Sequence, residues 1–325
     1  MPFMPKVSIV IPVFNGSDYL SEAVESALDQ TYENTEIIVI NDGSQDKGAT
    51  ENIALSYGNK IRYFSKENGG VASALNLAME KMTGEYFSWL SHDDLYLPGK
   101  LEIQIMALAD MDTSRTIMYS DYAIFSHDAN KVQEVKLPRT PPEKFRYFIT
   151  VNNSMHGCTL LVPRTAFDQC GIFNKALRTT QDYDLWFRMA KKYQFVHIPE
   201  VLVKARIHEE QGSKRMRDIA VAECDELLMG FVAQLQEEDL SSSKGAPISL
   251  SYIQVATNFR ERGFYQAEKK ALSLALYNLC QCSPLDALRT VFRLLYVAVF
   301  GTVISILRGL IINFRLKVRR WSISE

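Results

Sequence analysis

Cysteine is scarce in this 325-residue sequence: there are five, at positions 158, 170, 224, 280 and 282, odd in number and scattered. That excludes a disulfide-stapled scaffold, and Cys280-Gln-Cys282 lacks both the spacing and the second pair of a structural zinc site. The expectation is reduced thiols in a cytosolic compartment. Glycine (16) and proline (11) are too few for a collagen-like or linker-dominated chain. The apolar run after Met1–Val7 is too short for a secretory leader, because it meets Pro12. A G-x-G-x-x-G turn and a Walker lysine loop are also missing. After the first apolar run, Pro12-Val13-Phe14-Asn15-Gly16 supplies one glycine, which disfavours hydride chemistry on a dinucleotide. Neither sign of charge dominates, with 36 Lys+Arg against 38 Asp+Glu, so composition does not call for a nucleic acid partner.

What is present is ordinary globular composition, 47 % hydrophobic and 23 % charged, and a strong local pattern. Residues 6–110 alternate short apolar runs with helical periodicity. Lys6–Ile11, stopped by Pro12, reads as a strand, and Ser17–Gln30 as a helix capped by Ser17. Glu36–Ile40 is a second strand, ending in the Asn41-Asp42-Gly43-Ser44 turn. A helix at Asp46–Tyr57, a strand at Ile61–Phe64 and a helix at Asn68–Met82, capped by Asn68, follow. Glu85–Leu90 is a fourth strand, ending at Ser91-His92-Asp93-Asp94. Such alternation implies βα units and a mostly parallel sheet, whose ligands bind outside the carboxyl ends of the strands. Further strand-like runs lie at Thr116–Ile124, Cys158–Val162 and Val201–Ile207. Helical patterns lie at Gln181–Lys192 and Ser213–Glu238, and residues 250–282 read as helical beyond a linker at Leu240–Pro247.

Several residues at these ends have two readings each. Asp42 suits either a ribose hydroxyl or plain turn chemistry. Asp93 and Asp94 suit a hard divalent cation whose other ligands are phosphates, or the solvated start of a helix. In Thr179-Thr180-Gln181-Asp182-Tyr183-Asp184, Thr179 and Asp182 form a capping-box-like pair, yet a general base at a helix start has the same pattern. Asp184 with Arg188 is a routine surface pair. His208 is a structural histidine or a ligand. His156-Gly157-Cys158 is a substrate-facing turn or a strand start, and nothing marks Cys158 as an activated nucleophile.

Taken in order, Val7–Asn15, Asn41–Ser44, Asn68–Gly70, Thr83–Tyr86, Ser91–Asp94 and Gln181–Trp186 closely resemble family 2 glycosyltransferases of the GT-A fold, over about residues 5–215. The resemblance implies an α/β protein with a Rossmann-like, mostly parallel central sheet and flanking helices, here followed by a C-terminal helical extension. It implies an inverting transferase using a nucleotide-diphosphate sugar, with uridine the base that the family pattern favours, acting on a hydroxyl of a glycan or lipid-linked glycan. Pro12, Val13, Phe14, Asn15 and Asp42 would hold the base and ribose, and Lys66, Asn68 and Gly69 would flank the nucleotide. Asp93 matches the aspartate that binds Mn²⁺ or Mg²⁺, with His92 and Asp94 beside it on the donor. Asp182 matches the catalytic base, and His208 a histidine that reaches the metal or pyrophosphate. Two positions depart from the family pattern: Ser91 stands where an aspartate is usual and Gln181 where a glutamate is usual. The alternative is a non-catalytic GT-A subunit that binds nucleotide or scaffolds a glycan-assembly complex.

The charge is unevenly spread. Residues 283–325 carry +5 and the remainder −7. Leu294–Leu307 is free of charge for fourteen residues, short of the ~20 that span a bilayer. On one helix, Arg289, Arg293, Arg308, Arg315 and Arg319 share one face, the pattern of an interfacial helix on anionic lipid. The competing readings are a buried helical hairpin and a homo-oligomer built through these helices. The expected organisation is therefore a transferase domain at 1–215, a helical extension at 216–282 and a basic amphipathic membrane-associating segment at 283–325. The expected location is peripheral, on the cytoplasmic face of a membrane.

Overall fold

A computed structural model of the chain describes residues 3–126, 132–152, 154–240, 247–279, 288 and 290–292. The chain divides after Glu223 into two compact units.

The first unit is α/β. Strands β1 (Val7–Val13), β2 (Thr35–Asn41), β3 (Arg62–Ser65) and β4 (Tyr86–Trp89) are joined by helices α1 (Leu20–Leu28), α2 (Ala49–Ser56) and α3 (Val71–Lys81). With β8 (Val162–Pro163) they form a sheet of order β3-β2-β1-β4-β8, parallel except for β8. The central strand β1 is buried along its whole length, as a near-continuous run of β-branched residues requires. Helix α1 turns Leu20, Ala23, Val24 and Ala27 inward, one stripe of a 3.6-residue repeat.

Pro12 does not stop β1; it pairs in register with Ile40. Val7 N donates to Asn34 O and Val13 O accepts from Asp42 N, so odd-numbered backbone groups face β2. Pro12 therefore directs its missing donor toward β4, whose pairing with β1 has already ended at Val10.

A second sheet of order β5-β9-β6-β7 comprises β5 (Leu95–Tyr96), β6 (Thr116–Phe125), β7 (Val132–Val135) and β9 (Gln194–Arg206). The pattern expected only Val201–Ile207 of β9, because Pro199-Glu200 interrupts it. Those two residues are skipped where Ser120 pairs with Ile198 and Asp121 with Val201, so a bulge absorbs the proline. Helices α4 (Lys100–Ala109), α5 (Phe145–Val151), α6 (Arg164–Cys170) and α7 (Gln181–Met189) complete the layers, followed by the short α8 (Gly212–Arg215). The strand expected at Cys158–Val162 is mostly a tight turn, Gly157–Thr159.

The expected caps are corrected. Helix α1 starts after Tyr19, α3 after Gly70 and α7 after Thr180, none with a side-chain cap bond. Ser17, Asn68 and Thr179 lie upstream. Asn68 Nδ2 donates to Asp42 O and Thr179 Oγ1 to Glu223, so long-range partners take these polar groups from local capping.

Helix α9 (Arg217–Gln234) leads into the second unit, which holds α10 (Glu237–Leu240), α11 (Ile248–Arg262) and α12 (Tyr265–Leu279). The helical stretch expected over 250–282 breaks at Gly263, where φ is +82° and Phe264 N bonds back to Phe259 O. Ala267, Ala271 and Ala275 line one buried stripe of α12, and Arg260 Nε donates to Glu268 across the hairpin at 2.6 Å. Among the described residues no helix is long and apolar enough to cross a membrane. The apolar stretch 294–312 and Cys280 and Cys282 lie outside them.

Candidate functional site

The carboxyl ends of β1, β2 and β4 bring the expected donor residues to one edge. Past β1, Asn15 takes φ +50° and is tied to the turn after β2: its N–H donates to Ser44 Oγ (2.9 Å) and its Oδ1 accepts from Gln45 N (2.6 Å). Pro12 and Val13 are buried beneath, while the Phe14 ring beside this turn is 41 % exposed.

Asp42 is buried and serves as the brace of the Lys66–Gly70 loop. Its carboxylate accepts from Lys66 Nζ (2.6 Å), Gly69 N (3.1 Å) and Gly70 N (2.7 Å). It thus supplies, from another strand, the acceptor that the start of α3 lacks locally. Direct nucleotide contact by this carboxylate requires Lys66 to release it.

The loop after β4 carries the acids. Asp93 Oδ2 lies 2.9 Å from His208 Nε2, across 115 residues. Arg206 anchors the pair. Its Nε donates to the Asp93 carbonyl (3.0 Å), its N–H to Asp94 Oδ1 (3.0 Å) and its other guanidinium arm to Glu22 (2.7 Å). The guanidinium is sandwiched over the Tyr19 and Phe125 rings, at 4.3 and 4.5 Å from their centroids. The His92 ring lies against Gly16, where a Cβ would come within 2.4 Å of it, and burial pushes its pKa down.

Asp94 has other side-chain partners. It is buried, with Cys158 Sγ at 3.4 Å and His156 Nε2 at 3.6 Å from Oδ2. Burial, reinforced by the neighbouring Asp93 charge, raises its pKa to about 8, so the carboxyl is largely protonated at neutral pH.

Asp182 sits half-buried in the first turn of α7, its Oδ1 accepting from Tyr183 N (2.9 Å). Burial raises its pKa to about 6; the backbone bonds and nearby His156 pull the other way. The His156–Gly157 turn presses on it. Tyr183 Oη reaches Met155 N (3.1 Å), and a Cβ on Gly157 would lie 2.6 Å from the Trp89 ring and 3.6 Å from Asp182 Oδ2. His156 feels the charges of both Asp182 and Asp93, which places it among the acids of the site. The segment leading into α7 is held by Glu223, which accepts from Arg178 N (2.7 Å) and from Thr179 N and Oγ1 (2.8 and 2.7 Å). Asp184 pairs with Arg188 at 2.8 Å as expected.

Beneath the two loops lies a group that pattern reading missed. Lys100 is fully buried and, among the described residues, no carboxylate pairs with it: Nζ donates to Ser88 Oγ and Gln104 Oε1, both at 2.9 Å, over the Tyr96 ring. Burial lowers its pKa to about 7. Tyr96 Oη donates to Trp89 O (2.6 Å) and Gln104 Nε2 to Thr159 O (2.8 Å), so this network supports both the Ser91–Asp94 loop and the Gly157–Thr159 turn. No local signal distinguishes a buried lysine at a helix start from an exposed one.

The arrangement offers a half-buried carboxylate near neutral pKa, a carboxylate–imidazole pair and a backbone-lined loop at a helix start. It has the parts to take a proton from a hydroxyl and to hold a cation. A family model described as glycosyl transferase family 2 matches residues 8–170. An uncharacterized glycosyltransferase of Rickettsia felis is 45 % identical over 276 residues, 84 % of this chain and 45 % of that protein, so the chain spans less than half of its length. The S. aureus TarS 1–349 crystal structure in complex with UDP-GlcNAc superposes with a TM-score of 0.54 at 18 % identity, over 84 % of this chain and 90 % of the other. The mannosyltransferase PcManGT from Pyrobaculum calidifontis, in complex with GDP-Man and Mn²⁺, gives 0.52 at 18 %, over 91 % and 81 %. At these identities the two solved structures establish likeness of fold.

Proposed function

The chain belongs to glycosyl transferase family 2, and we propose that it is an inverting glycosyltransferase moving a sugar from a uridine-diphosphate sugar to a hydroxyl of a glycan or lipid-linked glycan. The observation that carries this reading is Asp182: a half-buried carboxylate raised to about 6, at a helix start, beside the turn that also adjoins Asp93. A carboxylate with its pKa near 6 is ionised at neutral pH and more basic than an ordinary aspartate, so it can take the acceptor's proton. As Asp182 takes that proton, the acceptor oxygen bonds to the anomeric carbon and the bond from that carbon to the diphosphate breaks. The nucleoside diphosphate leaves from the opposite face, so configuration inverts, by the geometry that also governs inverting glycosidases.

The donor residues support this assignment. Phe14 offers an exposed ring for the base. The Lys66–Gly70 loop, which flanks the nucleotide in this reading, is held in shape by Asp42, whose carboxylate takes the Gly69 and Gly70 N–H groups. Asp93 and His208 suit a hard divalent cation, Mn²⁺ or Mg²⁺. The Arg206 guanidinium goes to the Asp93 carbonyl and to Glu22, which leaves the Asp93 carboxylate to His208 and open to a positive ion. When bound, such an ion neutralises charge on the departing diphosphate. Lys100 and Arg206 hold the two loops in place from below and from the side.

We assign residues 283–325, with their +5 charge, to a membrane surface carrying the acceptor, which makes the protein peripheral on the cytoplasmic face. The test of the catalytic reading is a donor panel with Mn²⁺, scored for hydrolysis and transfer, in wild type and Asp182→Asn. Loss of turnover with donor binding retained is expected. Turnover retained in Asp182→Asn refutes the base. Donor binding without turnover in wild type favours a non-catalytic subunit.

A further inference from the structure

We propose that Asp94, His156 and Cys158 form a second cation site, separate from Asp93–His208, that takes a thiophilic divalent ion of the Zn²⁺ class. The three ligand types belong to that class. A thiolate and an imidazole with one carboxylate suit Zn²⁺ and suit Mg²⁺ or Mn²⁺ poorly. The Asp94, His156 and Cys158 ligand atoms all lie within 4.8 Å of one another. The Cys158 Sγ–Asp94 Oδ2 separation is 3.4 Å and the His156 Nε2–Asp94 Oδ2 separation 3.6 Å. Metal–ligand bonds of about 2.0–2.3 Å at tetrahedral angles put ligand atoms about 3.3–3.6 Å apart, so two edges of the triangle are already at bonding size.

The surrounding groups are placed as supports for such a site. Ser91 N donates to Cys158 Sγ at 3.2 Å and Ser91 Oγ lies 3.4 Å from it; both can hydrogen-bond a thiolate. Asp94 Oδ1 is fixed by Arg206 N, which leaves Oδ2 for the ion. Asp94 and Cys158 are buried, whereas the His156 side chain is 29 % exposed and is the member that moves to close the third edge. Ligation through Nε2 places the ring proton on Nδ1. It therefore costs the long Cys158 N–H···Nδ1 contact of 3.4 Å, and binding releases the thiol proton and the Asp94 carboxyl proton to solvent. An ion there ties the loop bearing Asp93 to the turn pressed on Asp182.

The probe is Co²⁺ added to the full chain with Mg²⁺ in excess. The background replaces Cys170, Cys224, Cys280 and Cys282 by serine, so that Cys158 is the only thiol. One equivalent should produce a near-ultraviolet thiolate-to-cobalt charge-transfer band that Zn²⁺ bleaches. Cys158→Ser should abolish it. His156→Gln, which leaves the buried thiol in place, should weaken Zn²⁺ binding by at least the ~100-fold that loss of a supporting group around a metal costs. Asp93→Asn should leave the band intact. Absence of the band in the background chain overturns the proposal, and so does a band that survives Cys158→Ser or requires Asp93.

Discussion

Replacing Asp182 by asparagine should move activity and stability in opposite directions. The native carboxyl holds its proton up to about pH 6, against an ordinary aspartate value of 3.8, because burial disfavours its charged form. Folding stability therefore falls as pH rises across that window, since the unfolded chain releases the proton first. Two units correspond to about 3 kcal/mol in a fully dry site, and to about 1–2 kcal/mol once water reaching a half-buried group is allowed for. Asparagine carries no charge and retains an oxygen to accept from Tyr183 N. Asp182→Asn should thus be about 1–2 kcal/mol more stable than wild type in urea melts at pH 7.5, the gain shrinking to nothing near pH 4. Its kcat/KM should fall about 10²–10⁴-fold, the usual worth of a positioned base. Wild-type kcat/KM should drop about tenfold per pH unit below 6, where the base is protonated. A variant less stable than wild type at pH 7.5, or a wild-type profile flat from pH 7 to 5, would refute the reasoning.

Other outcomes follow from the same structure. Glu36 ties the amino ends of three strands: Oε1 accepts from Ser8 Oγ (2.6 Å), Thr83 N (2.6 Å) and Thr83 Oγ1 (2.9 Å), and Oε2 from Arg62 (2.6 Å). These bonds outweigh burial and lower its pKa to about 2. Glu36→Gln, whose amide would face Arg62, should cost about 3 kcal/mol at pH 7, and wild type should lose that stability as pH falls from about 4.5 to 2, both measured by chemical denaturation. Asp93→Ala should abolish Mn²⁺-dependent tightening of nucleotide binding in calorimetry; an unchanged Mn²⁺ titration counts against the cation assignment. Gly157→Ala drives a methyl into the Trp89 ring at 2.6 Å and should cost about 1–3 kcal/mol as overpacking, together with turnover. The full chain should partition with membranes and come off with detergent, whereas a chain ending near Cys282 should stay in the supernatant; equal solubility of the two sinks the interfacial reading.

Much of the fold was legible because strand and helix periods are local. The four strands of the first 90 residues stand within a few residues of where alternation puts them, and their acids do fall at the carboxyl ends. What failed was local chemistry overridden from a distance. Thr179 resembles a cap yet donates to Glu223, Asn68 resembles a cap yet holds Asp42 O, and Pro12 resembles a stop yet sits inside β1 where no partner needs its donor. Most of β9 was hidden by Pro199-Glu200, which only a paired β6 shows to be a bulge. The three described cysteines are free thiols, as their spacing suggested.

Sequence alone determined the alternating α/β order, the acids at strand ends and the glycine turns between them, since each depends on neighbours a few residues apart. Tertiary structure decided what those acids do. Asp93 meets His208 across 115 residues, Asp42 braces the loop before α3, and Asp94 meets Cys158 and His156. Asp93 and Asp94 are chemically identical neighbours. They differ because the Ser91–Asp94 turn gives one carboxylate the buried His208 imidazole and the other Cys158 and His156, where burial moves a carboxyl to about 8.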